Sequence, residues 1–134
     1  MATDFAPGPV AVAFPEPETV GSADDVVALE PDFGGTIDLK LGVVGPAAAG
    51  AGFDVEVRAF FPGAHTMQED PVTGSLNASL AQWLMQRDPA LCSYTARQGT
   101  VLGRNGRVYL DRDDDGTIWV GGRVGASITG IVDL

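Results

Sequence analysis

The residues best equipped for chemistry lie between positions 69 and 80, where Glu69-Asp70-Pro71-Val72-Thr73-Gly74-Ser75 runs directly into Leu76-Asn77-Ala78-Ser79-Leu80. Two carboxylates thus stand at the entry of an apolar helical pattern. A helix start leaves its first backbone N–H groups without intrahelical partners, and Gly74 and Ser75 are small enough to turn such groups towards a ligand. Those donors, with the positive end of the helix dipole, favour an anionic group. Asp70 sits beside them, so the segment suits a pocket for a small carboxylate or carbonyl substrate. Pro71 is expected in the first helical turn, where its missing N–H costs nothing. The purely structural alternative is ordinary: Asp before Pro is a frequent N-cap, and Gly-Ser before an apolar run is common helix-entry chemistry.

The elements that must position this segment follow from hydrophobic spacing. Leu76, Leu80, Trp83 and Leu84 recur with helical periodicity, while Ala78, Ala81 and Met85 fill most of the remaining circumference. A helix apolar nearly all round is buried, so its first turn should open at the end of a hydrophobic core, where low dielectric strengthens interactions with charge. Alternation predicts strands over 9–14 and 37–44, and Phe53, Val55 and Val57 alternate with Asp54, Glu56 and Arg58 in a strand leading to the acidic motif. Further strands are expected over 93–97, 107–110, 117–120 and 126–132. Pro15, Pro17 and Gly21 mark a loop, and Ser22 three residues before Asp25 fits a capping pattern for a short helix carrying Val26, Val27 and Leu29. Residues 45–52 read as a turn or loop. Strands dominate around one long helix, which predicts a single α+β domain over 1–134, a mixed or antiparallel sheet curled around a central apolar helix.

A family resemblance sharpens the reading. Arg58-Ala59-Phe60-Phe61-Pro62 followed by Glu69-Asp70-Pro71-Val72-Thr73-Gly74-Ser75, then Arg97-Gln98-Gly99, Gly103-Arg104, Gly106-Arg107-Val108 and Trp119-Val120-Gly121-Gly122, in that order, resembles the phenazine-biosynthesis isomerase (PhzF-like) family. Those proteins are built as two similar halves with one active site in the cleft between them, in the diaminopimelate epimerase-like fold. The chain resembles the second, C-terminal half. The resemblance implies a cofactor-independent isomerase that moves a proton on a small carboxylated substrate. It implies that Asp70 assists the proton transfer or orients the substrate as the catalytic residue, while backbone N–H groups around Gly74 and Ser75 hold the substrate carboxylate, with Thr73 and Glu69 among the substrate-binding residues of the same pocket. The family's catalytic glutamate belongs to the first half and has no counterpart among these residues. A missing N-terminal half, or a second copy of the chain across a two-fold axis, is therefore the expected partner. The competing class is a non-catalytic domain that binds a small acid or self-associates.

His65, the only histidine, lies four residues before Glu69 and is a candidate pocket wall or proton relay, although a lone loop histidine is ordinarily just exposed. Asp111-Arg112-Asp113-Asp114-Asp115-Gly116 imitates the start of a calcium loop, but the twelfth position is Gly122 and both flanks read as strands, so no metal site is expected. The segment suits a solvated hairpin turn. Cys92 is expected to be a small packing residue, without basic neighbours to activate it. The 134 residues suffice for one core, and the net charge of −10 disfavours nucleic-acid and membrane-surface binding because the eight Lys and Arg residues are scattered. No apolar run reaches the length of a membrane span, no secretory signal is evident in Met1-Ala2-Thr3-Asp4, and a single cysteine cannot form an internal disulfide, which together predict a cytoplasmic location.

Overall fold

The computed structural model describes residues 10–13 as backbone and residues 21–33 and 40–133 in full. Among the described residues seven strands form one mixed sheet: β1 (Val10–Ala13), β2 (Lys40–Pro46), β3 (Val55–Pro62), β4 (Met67–Asp70), β5 (Ser93–Gln98), β6 (Gly106–Arg112) and β7 (Ile118–Gly121). The order across the sheet is β1-β2-β3-β5-β6-β7, with β4 joined to β3. Helix α1 (Ala23–Ala28) packs on β2 and β3, and helix α2 (Gly74–Arg87) contacts β6 and β7.

Two strands share the edge of β3 opposite β2. β5 runs parallel to β3, with Val55 opposite Ala96 and Val57 opposite Gln98. β4 runs antiparallel, with Pro62 opposite Met67 and Ala59 opposite Asp70. The two strands thus approach each other head-on and stop on either side of Arg58. The chain leaves the sheet at that break and enters α2.

The period of two sorts the side chains of β3. Val57 and Ala59 join Val44, Ala96, Val108 and Leu110 in the core that receives Leu76, Leu80, Ala81 and Met85 of α2. Glu56, Arg58 and Phe60 alternate with them and face the opposite side, where a Cβ at Gly45 would meet the Ser22 carbonyl at 2.6 Å and Val26 at 2.7 Å. α1 lies on that face for want of a side chain there.

Several expectations change. α2 is buried on one face; Ser75, Gln82, Gln86 and Arg87 are exposed, so the sheet packs against the helix from one side among the described residues. The helix begins at Gly74 with Thr73 as N-cap, so Pro71 precedes it instead of occupying its first turn. The expected strand over 126–132 does not form. Residues 122–133 are irregular and exposed, with Val124 at 97% and Ile128 at 93%, because alternation alone makes no strand without an edge to pair with. Residues 9, 14, 15, 17 and 37–39 of the expected elements lie outside the described residues. No helix among the described residues is long and apolar enough to cross a membrane.

Candidate functional site

The acidic motif is the end of a strand. Glu69 and Asp70 are the last residues of β4, and successive side chains of a strand point to opposite faces, so the two neighbouring carboxylates are parted by the sheet itself. Glu69 opposes Phe60 and Asp70 opposes Ala59.

On the α1 face, Arg58 claims Glu69. Its Nε and Nη2 donate to Glu69 Oε1 and Oε2 at 2.9 and 2.8 Å, a planar fork in which both carboxylate oxygens are used. Its Nη1 donates to the carbonyls of Val26 and Leu29 at 3.2 and 2.6 Å, taking up orphan acceptors at the C-terminal end of α1. Arg58 is buried, and the two side chains are 5% and 11% exposed. Glu69, expected at the pocket, thus stands in a closed structural ion pair on the face away from Asp70. Glu56, fully buried on this face, pairs with Arg97, which with Arg107 lies over the Phe53 ring at 3.9 and 5.2 Å.

On the α2 face, Asp70 keeps a different company. Thr73 Oγ1 donates to Asp70 Oδ2 at 2.7 Å. Because that hydroxyl is turned towards Asp70, Thr73 forms no side-chain cap on the helix it precedes, and the first turn contains no acid. The first-turn N–H groups of Gly74 and Ser75 find no acceptor among the described residues, and both residues are exposed. A half-buried carboxylate therefore stands beside an uncapped, positive helix end that is open to solvent.

Gln98, fully buried at the end of β5, is the hub. Its Oε1 accepts from Thr73 N at 3.1 Å and from Asn77 Nδ2 at 2.9 Å; its Nε2 donates to the Asp70 carbonyl at 2.9 Å and to Thr73 Oγ1 at 3.1 Å. Asn77, also fully buried, donates in addition to the Thr73 carbonyl at 2.9 Å. Five hydrogen bonds thus join the four residues Asp70, Thr73, Asn77 and Gln98 between strand and helix. Gly99 completes the cradle: its φ of +87° suits a residue without a side chain, and a Cβ there would lie 2.6 Å from the Pro71 carbonyl oxygen.

Against this geometry the known proteins can be compared. The sequence matches the family model described as phenazine biosynthesis-like protein (PhzC-PhzF) over residues 19–130. The chain belongs to that family. Among solved structures, the crystal structure of the Bacillus anthracis phenazine biosynthesis protein of the PhzF family is similar in fold, with a TM-score of 0.56 at 15% identity. The likeness covers 83% of this chain and 40% of that one, so the phenazine biosynthesis-like chain described here spans about two fifths of that relative's length. No curated protein matches the sequence.

Of the residues singled out by sequence, Asp70, Thr73, Gly74 and Ser75 come together at one end of α2. His65 is exposed in the turn joining β3 to β4. Cys92 is exposed instead of packed, with Arg112 Nη2 3.8 Å from its sulfur. Asp113 and Asp115 of the β6–β7 turn are engaged within it: Thr117 N donates to Asp113 Oδ1 and Asp115 Oδ1, both at 2.9 Å, and hydrogen bonding with the Thr117 side chain, then with Asp113 and the Thr117 backbone, holds the Asp115 carboxyl below the ordinary aspartate value. Sequence reasoning missed Gln98 and Asn77 as organisers. A signal for Gln98 was present, since Tyr94, Ala96 and Gln98 share the buried parity of β5, and a buried amide must find partners.

Proposed function

We propose that this chain supplies the acid-bearing half of an isomerase site that moves a proton on a small carboxylated substrate without a cofactor. The single observation that carries the reading is the pairing of Asp70 with the uncapped N-terminus of α2. The backbone N–H groups of Gly74 and Ser75 receive the substrate carboxylate, with Thr73 shaping the entry, and Asp70 exchanges a proton with a substrate carbon. Family membership supports an isomerase-type activity. The base comes from another half or a second copy of the chain, a view supported by the relative's greater length and by the closure of Glu69 against Arg58. Glu69 then serves the site by fixing β4, and His65 takes part only if the partner brings the β3–β4 turn to the cleft. The site belongs to a cytoplasmic enzyme on this reading.

A second reading has one observation of its own in its favour. Proton transfer between two carbons needs a giver and a taker, and Glu69, the other carboxylate of the motif, is consumed in the ion pair, so the same helix end can bind a small acid without transforming it.

The test is proton exchange in deuterium oxide by the chain assembled with its partner, followed by NMR on a panel of small aromatic and aliphatic acids. Asp70→Asn is expected to slow exchange by about 10²- to 10⁴-fold, the range of general acid–base catalysis, while calorimetry still registers acid binding. Unchanged exchange removes Asp70 from the chemistry, and a panel in which no acid binds removes both readings.

A further inference from the structure

The direction of every hydrogen bond around Asp70 can be assigned, because backbone groups anchor the network at fixed polarity. The Thr73 N–H can only donate and the Asp70 carbonyl can only accept, so the Gln98 amide has one possible orientation, oxygen towards Thr73 N and nitrogen towards Asp70 O. The second hydrogen on Gln98 Nε2 then points to Thr73 Oγ1 at 3.1 Å. Having accepted there, the Thr73 hydroxyl has one proton to give, and Asp70 Oδ2 is its acceptor at 2.7 Å. Asn77 holds the amide from its other side, through Gln98 Oε1 at 2.9 Å. Among the described residues no other hydrogen bond reaches the Asp70 carboxylate.

We propose that Gln98 and Thr73 form a directed relay that makes Asp70 Oδ2 a permanent acceptor and reserves Oδ1 as the oxygen that carries the transferred proton. The inference rests on the reading of Asp70 as the acid of the site. A free carboxylic acid distributes its proton over both oxygens and rotates about its bond to Cβ; one occupied oxygen leaves a single productive presentation. In the transfer, the Oδ1–H bond breaks as a C–H bond forms on the substrate, and the electron pair stays on the Asp70 carboxylate. The base of the other half removes the balancing proton from the substrate, and the Thr73 O–H bond stays intact. Gln98 and Thr73 are thus positioning residues, acting through Asp70.

The experiment pairs Thr73→Val, which keeps the shape and removes the hydroxyl, with Thr73→Ser, which keeps the hydroxyl. Carbon NMR of the Asp70 carboxyl at neutral pH reads the relay in the chain itself, whatever reaction it serves. Thr73→Val is expected to move that resonance and Thr73→Ser to leave it near its wild-type position. In the exchange assay, Thr73→Val is expected to lower kcat about 10-fold or more with little change in KM, and Thr73→Ser to restore it. A resonance that stays in place in Thr73→Val overturns the relay, and so does a moved resonance with an unchanged kcat. A moved resonance with wild-type exchange indifferent to Asp70→Asn upholds the hydrogen-bond geometry and overturns its catalytic use, which separates failure of the relay from failure of the functional reading.

Discussion

The two helices among the described residues begin in opposite ways. α1 starts with a complete capping box: Ser22 Oγ accepts from Asp25 N at 3.2 Å, and Asp25 Oδ2 accepts from Ser22 N at 2.7 Å. Asp24 and Asp25 oppose its dipole, and Arg58 takes up carbonyls at its far end. α2 starts without a side-chain cap and without an acid, although a threonine stands at the capping position. Glu69 and Asp70 repeat the contrast, one with both oxygens held and the other with one. On the α1 side Arg58 and Glu69 close on one another, whereas the α2 side leaves first-turn donors and one Asp70 oxygen unclaimed on a scaffold that Gln98 and Asn77 hold fixed.

The largest effect should come from opening the closed side. Arg58→Met leaves Glu69 a desolvated carboxylate without its partner and releases two α1 carbonyls, which is expected to cost about 3–5 kcal/mol in chemical denaturation. Arg58→Lys should recover only part of that loss, because an ammonium cannot present the fork that meets both Glu69 oxygens. A loss below about 1 kcal/mol would show that the two sides differ less than their geometry states.

Closing the open side should act in the reverse direction and more weakly. Ser75→Asp places an acid in the first turn of α2, where it opposes the helix dipole and can accept from the free N–H groups. The expected gain is about 0.3–1 kcal/mol of stability. The same change should abolish calorimetric binding of small carboxylates, since the new side chain occupies the place of the ligand and repels it. Stabilisation with undiminished binding would move the acid-binding site away from the helix mouth.

How much of this contrast was legible in the sequence depends on where the deciding interaction lies. The α1 cap was readable because Ser22 and Asp25 are three residues apart and the bonds are local. The two sides of the Glu69–Asp70 pair were not, because a four-residue strand of Met, Gln, Glu and Asp has little strand character of its own and exists by pairing with β3. The strand expected over 126–132 failed for the complementary reason: its alternation is good, and no edge among the described residues receives it. Asp70, Thr73, Gly74 and Ser75 were found as a group through motif and helix-entry chemistry. Gln98 was not found as their organiser, since its bonds to Asp70 and Thr73 span 28 and 25 residues of sequence.

The smallest effect tests whether the closed start of α1 is closed by charge. Hydrogen bonds from the backbone and hydroxyl of Ser22 hold the Asp25 carboxyl below the ordinary aspartate value. A carboxylate depressed in the folded state binds its proton more readily when the chain unfolds, so the stabilisation is present above the unfolded value of about 3.9 and is lost as pH falls through the folded one. The urea midpoint of the wild type should therefore exceed that of Asp25→Asn near pH 6, and the two should converge as pH falls below about 4. The asparagine can still accept from the Ser22 N–H through its carbonyl oxygen, so the converging part of the gap reports the charge and any residual part the loss of shape or hydrogen bonding. A gap independent of pH would mean that the α1 box is held by geometry alone. The two helix starts would then differ in hydrogen bonding and not in electrostatics.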